Sequence, residues 1–324
     1  MNGRCNMTEV YKNHDIAVYA GYLDNDSEIL TCSSGGIATA LSRKMIHDGG
    51  YVAGAAYSED FHAVRYEIVH DSNQLERFKG SKYVDVEKGT VYQDVKKLLD
   101  DDNRVLFFGL PCVVAALRSY LGKDDPNLLT CEMVCEGAVS SDVHRQYIEY
   151  LEKKYNSRIV EFSVRRKLDA WTPKYLWARF ENGKEFLKEF RRTEYGFAFK
   201  VKGKPACYQC RFKADGRTGD LMLGDYWGAA AEDPFWNKNG VSVVFVRTEK
   251  GEDFLKTTQG ICLYPSDFDR AVAENPMVVR SRAVRPEKEE FERLFRKKGL
   301  IYAARHARTF ERKAKDFLLD MLGK

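Results

Sequence analysis

The chain has 324 residues, 44% hydrophobic and 31% charged, with a net charge of +4. That is enough apolar material for one large domain or two moderate ones, and too mild a charge for a dedicated nucleic-acid binder. No apolar run approaches the roughly 18 residues of a membrane span and no apolar segment of a secretory signal opens the chain, so a cytoplasmic protein with its eight cysteines reduced is expected.

A polar leader over residues 1–15, containing Cys5, precedes a stretch at 15–22 with the composition of a first strand. In TCSSGGIATALSRKMIHDGG, Ser33 or Ser34 is placed to cap a helix whose Ile37, Ala40, Leu41 and Met45 follow helical spacing. A helix entered through Ser34, Gly35 and Gly36 offers free N–H groups to a phosphate. It reads equally as a plain cap with close packing at the glycines. Residues 51–57 and 63–70 read as strands, and 90–99 as a helix. The loop before that helix carries Gly80, Ser81, Lys82 and Tyr83, which suit a phosphate and a planar ring, or an ordinary surface.

Residues 104–108 form the clearest buried strand, ending at Gly109-Leu110-Pro111-Cys112. Pro111 suits a helix's first turn, and a thiol at Cys112 is expected to have its pKa lowered by the helix terminus. A second strand, 128–134, ends at Cys135-Glu136-Gly137. Strand, helix, strand implies a parallel sheet, whose ligands gather at the carboxyl ends of its strands. Cys112 and Cys135 then share that edge. Cys131 lies about 13 Å back along its strand and reads as core.

After a helix over 142–155 the pattern turns antiparallel, with a strand at 159–165 and a hairpin at 176–180 and 185–190 across Asn182-Gly183. A strand at 241–246, a helix at 251–258 and a charged helical stretch from 287 follow. The expected fold class is α/β: a mixed sheet with a parallel N-terminal half, a more antiparallel second half and a helical C-terminal tail. The corresponding parts are 16–140, 141–270 and 271–324.

Within the second part, KPACYQCRFKADGRTGDLMLGDYWG holds the chain's only C-x-x-C pair, Cys207 and Cys210. Alone it suits a metal, an iron–sulfur cluster or a disulfide. Joined by Cys112 and Cys135, it supplies four thiolates, which suit a 4Fe-4S cluster and equally a closed zinc site. A thiol nucleophile at Cys112 lacks a partner, since none of the six histidines stands in a local pattern with it. Ser-Ser-Gly-Gly is not a nucleophile elbow.

Taken together, SSGGIATAL, GSKYVDVEKGTVYQDVKKLL, VLFFGLPCVVAALRSYLGKD, LLTCEMVCEGAVSS, CYQCRFK and DLMLGDYWG, in that order, resemble the beta-subunit family of coenzyme F-420 hydrogenases and dehydrogenases. The resemblance runs from about residue 16 through the tail. It implies a flavoprotein oxidoreductase that binds FAD, carries a 4Fe-4S cluster and moves electrons between a ferredoxin-like donor protein and a small-molecule hydride acceptor. By position, Ser34, Gly35, Gly36, Gly80, Ser81, Lys82 and Tyr83 fall on the family's flavin-binding turns, with Gly109 and Pro111 nearby. Cys112, Cys135, Cys207 and Cys210 fall on its recurrent cysteines, and Asp225 in its G-D-[FY]-W-G stretch. Two features depart from the pattern. Many relatives begin with a ferredoxin-like segment of eight cysteines, where this chain has Cys5 alone, so electrons are expected from a separate protein. Glu136 stands where the family commonly has His, adding negative charge beside an expected ligand. Relatives without the ferredoxin segment accompany polysaccharide-synthesis genes, which makes a sugar-pathway intermediate the alternative acceptor to coenzyme F-420. A partner-binding subunit holding zinc or no metal is the rival class, and a thiol redox enzyme the third.

Overall fold

The computed structural model describes residues 16–309. Cys5, the rest of the leader and the end of the expected tail, 310–324, lie outside the described residues. Most β-strands enter one sheet. These are β1 (Ala17–Leu23), β2 (Tyr51–Tyr57), β3 (Val64–Val69), β4 (Val105–Gly109), β5 (Leu128–Met133), β9 (Leu221–Asp225), β10 (Ser242–Val246) and β11 (Ile261–Ser266). Their spatial order is β11-β1-β10-β9-β5-β4-β2-β3. A separate antiparallel sheet holds β6 (Ile159–Arg166), β7 (Tyr175–Phe180) and β8 (Glu185–Glu189), the last two joined through Gly183 at φ +79°.

The centre of the large sheet is parallel: β2 on β4, β4 on β5, and β5 on β9. Its strands are the near-continuous apolar runs that burial on both faces demands. Helices α2 (Ile37–His47), α3 (Val91–Asp100) and α4 (Pro111–Leu121) cover it. Val95, Val114 and Leu117 pack with Phe107 on one face, while Ile37, Leu41 and Met45 pack with Leu106 and Val244 on the other. The first strand does not join the parallel run. It pairs antiparallel with β10 and β11, so strands from both halves of the chain interleave in one sheet. β9, from the second half, extends the parallel run beside β5, and β10 turns antiparallel against it.

A second core joins the small sheet to α5 (Ser141–Tyr155), α6 (Glu194–Val201) and α9 (Lys288–His306), through Tyr147, Phe180, Phe197, Phe291 and Ala303. Helix α9 breaks at Gly299, whose φ is +77°. Three short helices were not legible from spacing: α1 (Asp26–Ile29), α6 and α8 (Phe268–Ala273), while α7 (Glu249–Lys256) matches the expected 251–258 closely. No described helix is long and apolar enough to cross a membrane.

The carboxyl ends of β1, β4, β5 and β9 open on one margin. From it emerge the Ser33–Gly36 turn, the Gly109–Cys112 turn, Cys135 and Asp225.

Candidate functional site

Two adjoining corners occupy that margin. The first is built on the Ser33–Gly36 turn. The expected serine cap of α2 is not there: the N-cap is Gly36, at φ +89°, and no side chain caps the helix. Ser34 Oγ instead donates to the Val241 carbonyl at 2.8 Å, and the Gly35 N–H donates to Ser242 Oγ at 3.0 Å. The reason is a close approach. A Cβ on Gly35 would stand 2.4 Å from the Gly21 carbonyl oxygen, so the turn is pressed onto β1 and β10 and its serines bond to what they touch. The first N–H groups of α2 are left free of intrahelical partners.

The Gly80–Tyr83 turn meets this one where Ser81 Oγ donates to Ser33 Oγ at 2.9 Å. Lys82 does not reach outward. Its ammonium donates to the carbonyls of Arg77, Phe78 and Lys79, closing the 3-10 turn that precedes it. Tyr83 packs its ring on Phe199 at 4.6 Å and Phe190 at 5.2 Å, so its stacking partners are the protein's own. Both residues shape the turn. The sequence left a ligand-holding role and an ordinary surface role equally open for them.

Behind the two turns lies a charge cluster that sequence reasoning missed apart from Asp225. Arg165 holds Asp225 in a two-pronged contact, 2.8 Å at each oxygen, and donates to the Ser33 carbonyl at 2.9 Å. Trp171 Nε1 and Lys174 Nζ add bonds to the same carboxylate at 3.0 and 3.3 Å. Burial alone would raise the Asp225 carboxyl, but Arg165 and then Lys174 outweigh it and hold it well below the usual range. Lys167 donates to the carbonyls of Ile29, Ser34 and Asn239. Arg165 and Lys167, whose own pKa burial lowers only to about 8, thus stand as cations against one carboxylate, which leaves the corner positive. Burial and then Arg165 push the Lys174 ammonium well below its usual range. Lys174 also lies 3.7 Å above the Trp227 ring, which stacks on Trp171 at 5.0 Å and is partly exposed. The only local trace of this cluster was the Arg165-Arg166-Lys167 run, since its contacts to Asp225 span 60 residues.

The second corner holds the cysteines. Pro111 opens α4 and Cys112 follows it in the first turn. Gly109 ends β4, with Tyr66 Oη and Val114 crowding the place of a Cβ. The thiol of Cys112 is not acidified as its helix position suggested: partial burial and then the neighbouring Cys210 and Cys207 thiols push its pKa up. Cys135 lies deeper. Burial raises its pKa to about 11 against the pull of Lys213, with Cys112 and Cys207 raising it further. Cys207 Sγ stands 3.3 Å from where a Cβ on Gly137 would sit. The four expected cysteines therefore fall within one another's electrostatic reach. Cys131 does not join them. It is fully buried within β5.

The surroundings fix this corner from several elements. Lys213 donates to the carbonyls of Cys135 and Met277, and lies close enough to Cys135, Cys210 and Cys207 for their thiols to act on its charge. Ser281 Oγ accepts the Cys210 N–H at 2.8 Å, and the Arg282 N–H donates to the Cys207 carbonyl at 3.2 Å. Buried Glu132 accepts from the N–H groups of Thr218 and Gly219 at 3.0 and 2.8 Å, tying the chain after the C-x-x-C turn to β5. The charge of Glu136 is met by Lys200, at 2.7 and 2.9 Å from its two oxygens.

No group of three or more His, Cys, Asp or Glu side chains among the described residues is arranged to hold a metal ion. A tetrahedral zinc with bonds near 2.3 Å needs its sulfurs within about 3.8 Å of one another. A cluster of four irons spreads the same four thiolates wider. Gly137 links the corners: Val139, two residues on, bridges to Val84 beside Tyr83, and Tyr83 rests on Phe199.

Comparison with known proteins agrees with this architecture. The family model for the C terminus of the coenzyme F420 hydrogenase/dehydrogenase beta subunit matches residues 102–263, half of the chain. Among solved structures, a chain of the xenon-derivatised F420-reducing nickel–iron hydrogenase complex from Methanosarcina barkeri has a similar fold, with a TM-score of 0.53 and 17% identity. The alignment covers 80% of this chain and 89% of that one. No curated protein matches significantly.

Proposed function

Since the chain belongs to the coenzyme F-420 hydrogenase/dehydrogenase beta-subunit family, we propose that it is an FAD-dependent oxidoreductase whose Cys112, Cys135, Cys207 and Cys210 hold a 4Fe-4S cluster. It takes electrons from a ferredoxin-like protein and delivers them to a small-molecule hydride acceptor, coenzyme F-420 or an intermediate of a polysaccharide pathway. The observation that carries the reading is the gathering of four distant thiols, with Lys213 among them, beside two Ser/Gly turns backed by a cationic cluster. Bound here, FAD supplies hydride transfer and the cluster one-electron transfer.

The chain's own residues do the rest. Ser34, Gly35 and Gly36 present the uncapped start of α2, where a pyrophosphate finds N–H donors and a partial positive charge. Gly80 and Ser81 form the facing turn, which Lys82 holds rigid through three carbonyls. Tyr83 forms the wall between the turns and the cysteine corner. Arg165 and Lys167 supply the positive field that attracts the ligand's phosphates, with Lys174 beside them as a further N–H donor. Gly109 and Pro111 set the start of α4 and thereby the position of Cys112. Asp225 keeps Arg165 ionised and orients both Arg165 and Lys174. Cys135, deepest of the four, is protonated at neutral pH without a ligand, so cluster assembly here releases protons.

Anaerobic purification followed by assay of iron, sulfide, zinc and released flavin tests the reading. It predicts iron and sulfide in near-equal amounts with bound FAD. One zinc per chain and no flavin supports the non-catalytic, partner-binding reading instead.

A further inference from the structure

We infer that Arg282 is the charge-compensating group of the cysteine corner, its guanidinium donating N–H groups toward an anionic iron–sulfur cluster on Cys112, Cys135, Cys207 and Cys210. The inference rests on the cluster reading above and deepens it.

Arg282 is 4% exposed. Its Nη2 donates to the Phe199 carbonyl, and its guanidinium lies 5.6 Å over the Phe199 ring. Its Nε and Nη1 are buried, and neither has a hydrogen-bond partner among the described residues. A buried polar donor left unpaired is destabilising, and a charged one more so. Such a fork persists where an anion completes it.

Two glycines let the backbone approach both orphan nitrogens closely. A Cβ on Gly203 would come within 3.2 Å of Nε and of Nη1. A Cβ on Gly137 would stand 3.1 Å from Nη1 and 3.3 Å from Cys207 Sγ. Nη1 and the Cys207 sulfur therefore both lie against Gly137, and a side chain at either glycine would press on the guanidinium. Lys213, another cation here, already spends its ammonium on two carbonyls. Arg217 gives Nε and Nη2 to the Met277 and Val278 carbonyls and turns its spare Nη1 toward Glu132 at 3.5 Å. Arg282, by contrast, has two spare nitrogens and, among the described residues, no carboxylate bonded to them.

The chemistry that fits is a cluster sulfide or a ligating thiolate. Hydrogen bonds and positive charge at the sulfurs raise a cluster's reduction potential, because the reduced form carries one more negative charge. Arg282 thus acts as a positioning and tuning residue for electron entry.

The test is a potentiometric titration of the anaerobically purified full-length protein, followed by electron paramagnetic resonance, in the wild type, Arg282→Gln and Arg282→Lys. Arg282→Gln is expected to lower the reduced-to-oxidised ratio at a fixed potential about tenfold, which is about 59 mV for one electron. Arg282→Lys is expected to recover at least half of that. Loss of iron from Arg282→Gln with retention in Arg282→Lys also supports the proposal, as compensation needed for assembly. An unmoved midpoint in Arg282→Gln at wild-type iron content overturns the role of Arg282 alone. Equal shifts in both variants, or iron lost alike from both with native circular dichroism, mark a packing role and overturn it too. A wild type without iron and sulfide overturns the cluster reading itself, and this proposal with it.

Discussion

At the Ser/Gly corner, Asp225 draws Arg165, Lys174 and Trp171 into one buried knot, and of these donors only Arg165 Nε lacks a partner. At the cysteine corner, Arg282 keeps two nitrogens unpaired and the thiols of Cys112 and Cys135 are held protonated by burial. The first corner is satisfied by its own side chains, with charge left over to attract an anion. The second, on the proposed reading, is completed by its cluster. A pocket that recruits a diffusible cofactor must stand without it, whereas a site whose ligand is assembled in place has no need to. The two corners are therefore expected to fail differently.

The largest effect falls on the satisfied corner. Asp225→Asn leaves Arg165 buried without its counter-charge and should cost about 3–5 kcal/mol of stability, read as the denaturant midpoint with no cofactor present. A loss below 1 kcal/mol would mean that the knot is solvated and the contrast between corners is false.

The acid side of the stability profile sharpens the same point away from both corners. Burial lowers the pKa of His144 to about 4, and it stays neutral between the Phe61 carbonyl at 2.7 Å and Tyr195. The unfolded chain binds a proton at about pH 6.5, where the native protein does not. Stability is therefore full above that pH and falls as pH drops toward 4, by about 3 kcal/mol in total. The Asp225 contribution begins to be lost only lower, below about pH 4, since its folded pKa is depressed. Unfolding at fixed denaturant across pH 4–7 checks this, and His144→Gln should flatten that segment.

The smallest effect concerns Glu136. Its pair with Lys200 is half-solvated, so Lys200→Met should move stability by less than about 1 kcal/mol in the same unfolding assay. A larger loss would show that the corner depends on this pair as heavily as the other depends on Asp225.

Much of this was legible in the chain itself. The strand 105–109 announces itself by an unbroken apolar run and 128–133 by a run broken only at Thr130 and Glu132, and the turns after them carry Cys112 and Cys135 to the margin that parallel pairing dictates. Cys131 reads as core because strand rise alone separates it from Cys135. What stayed hidden is long-range or context-bound. The Arg165–Asp225 pairing leaves no local periodicity, and Arg282 sits in an irregular segment with no pattern around it. The helix at 194–201 is apolar on nearly every side, so it shows no amphipathic stripe. The strand at 261–266 carries Pro265, which only a sheet edge tolerates, and it lies at the edge. The place of β1 was invisible for a related reason: antiparallel partners more than 200 residues away claim it.

The central claim is that four thiols, and no others, make one site. Iron and sulfide per chain, measured after anaerobic purification of Cys112→Ala, Cys135→Ala, Cys207→Ala, Cys210→Ala, Cys131→Ala and Cys262→Ala, tests it most directly. The account predicts loss of both from the first four variants and wild-type content in the last two. Wild-type content in any of the first four, or loss from Cys131→Ala with its fold intact, would contradict it.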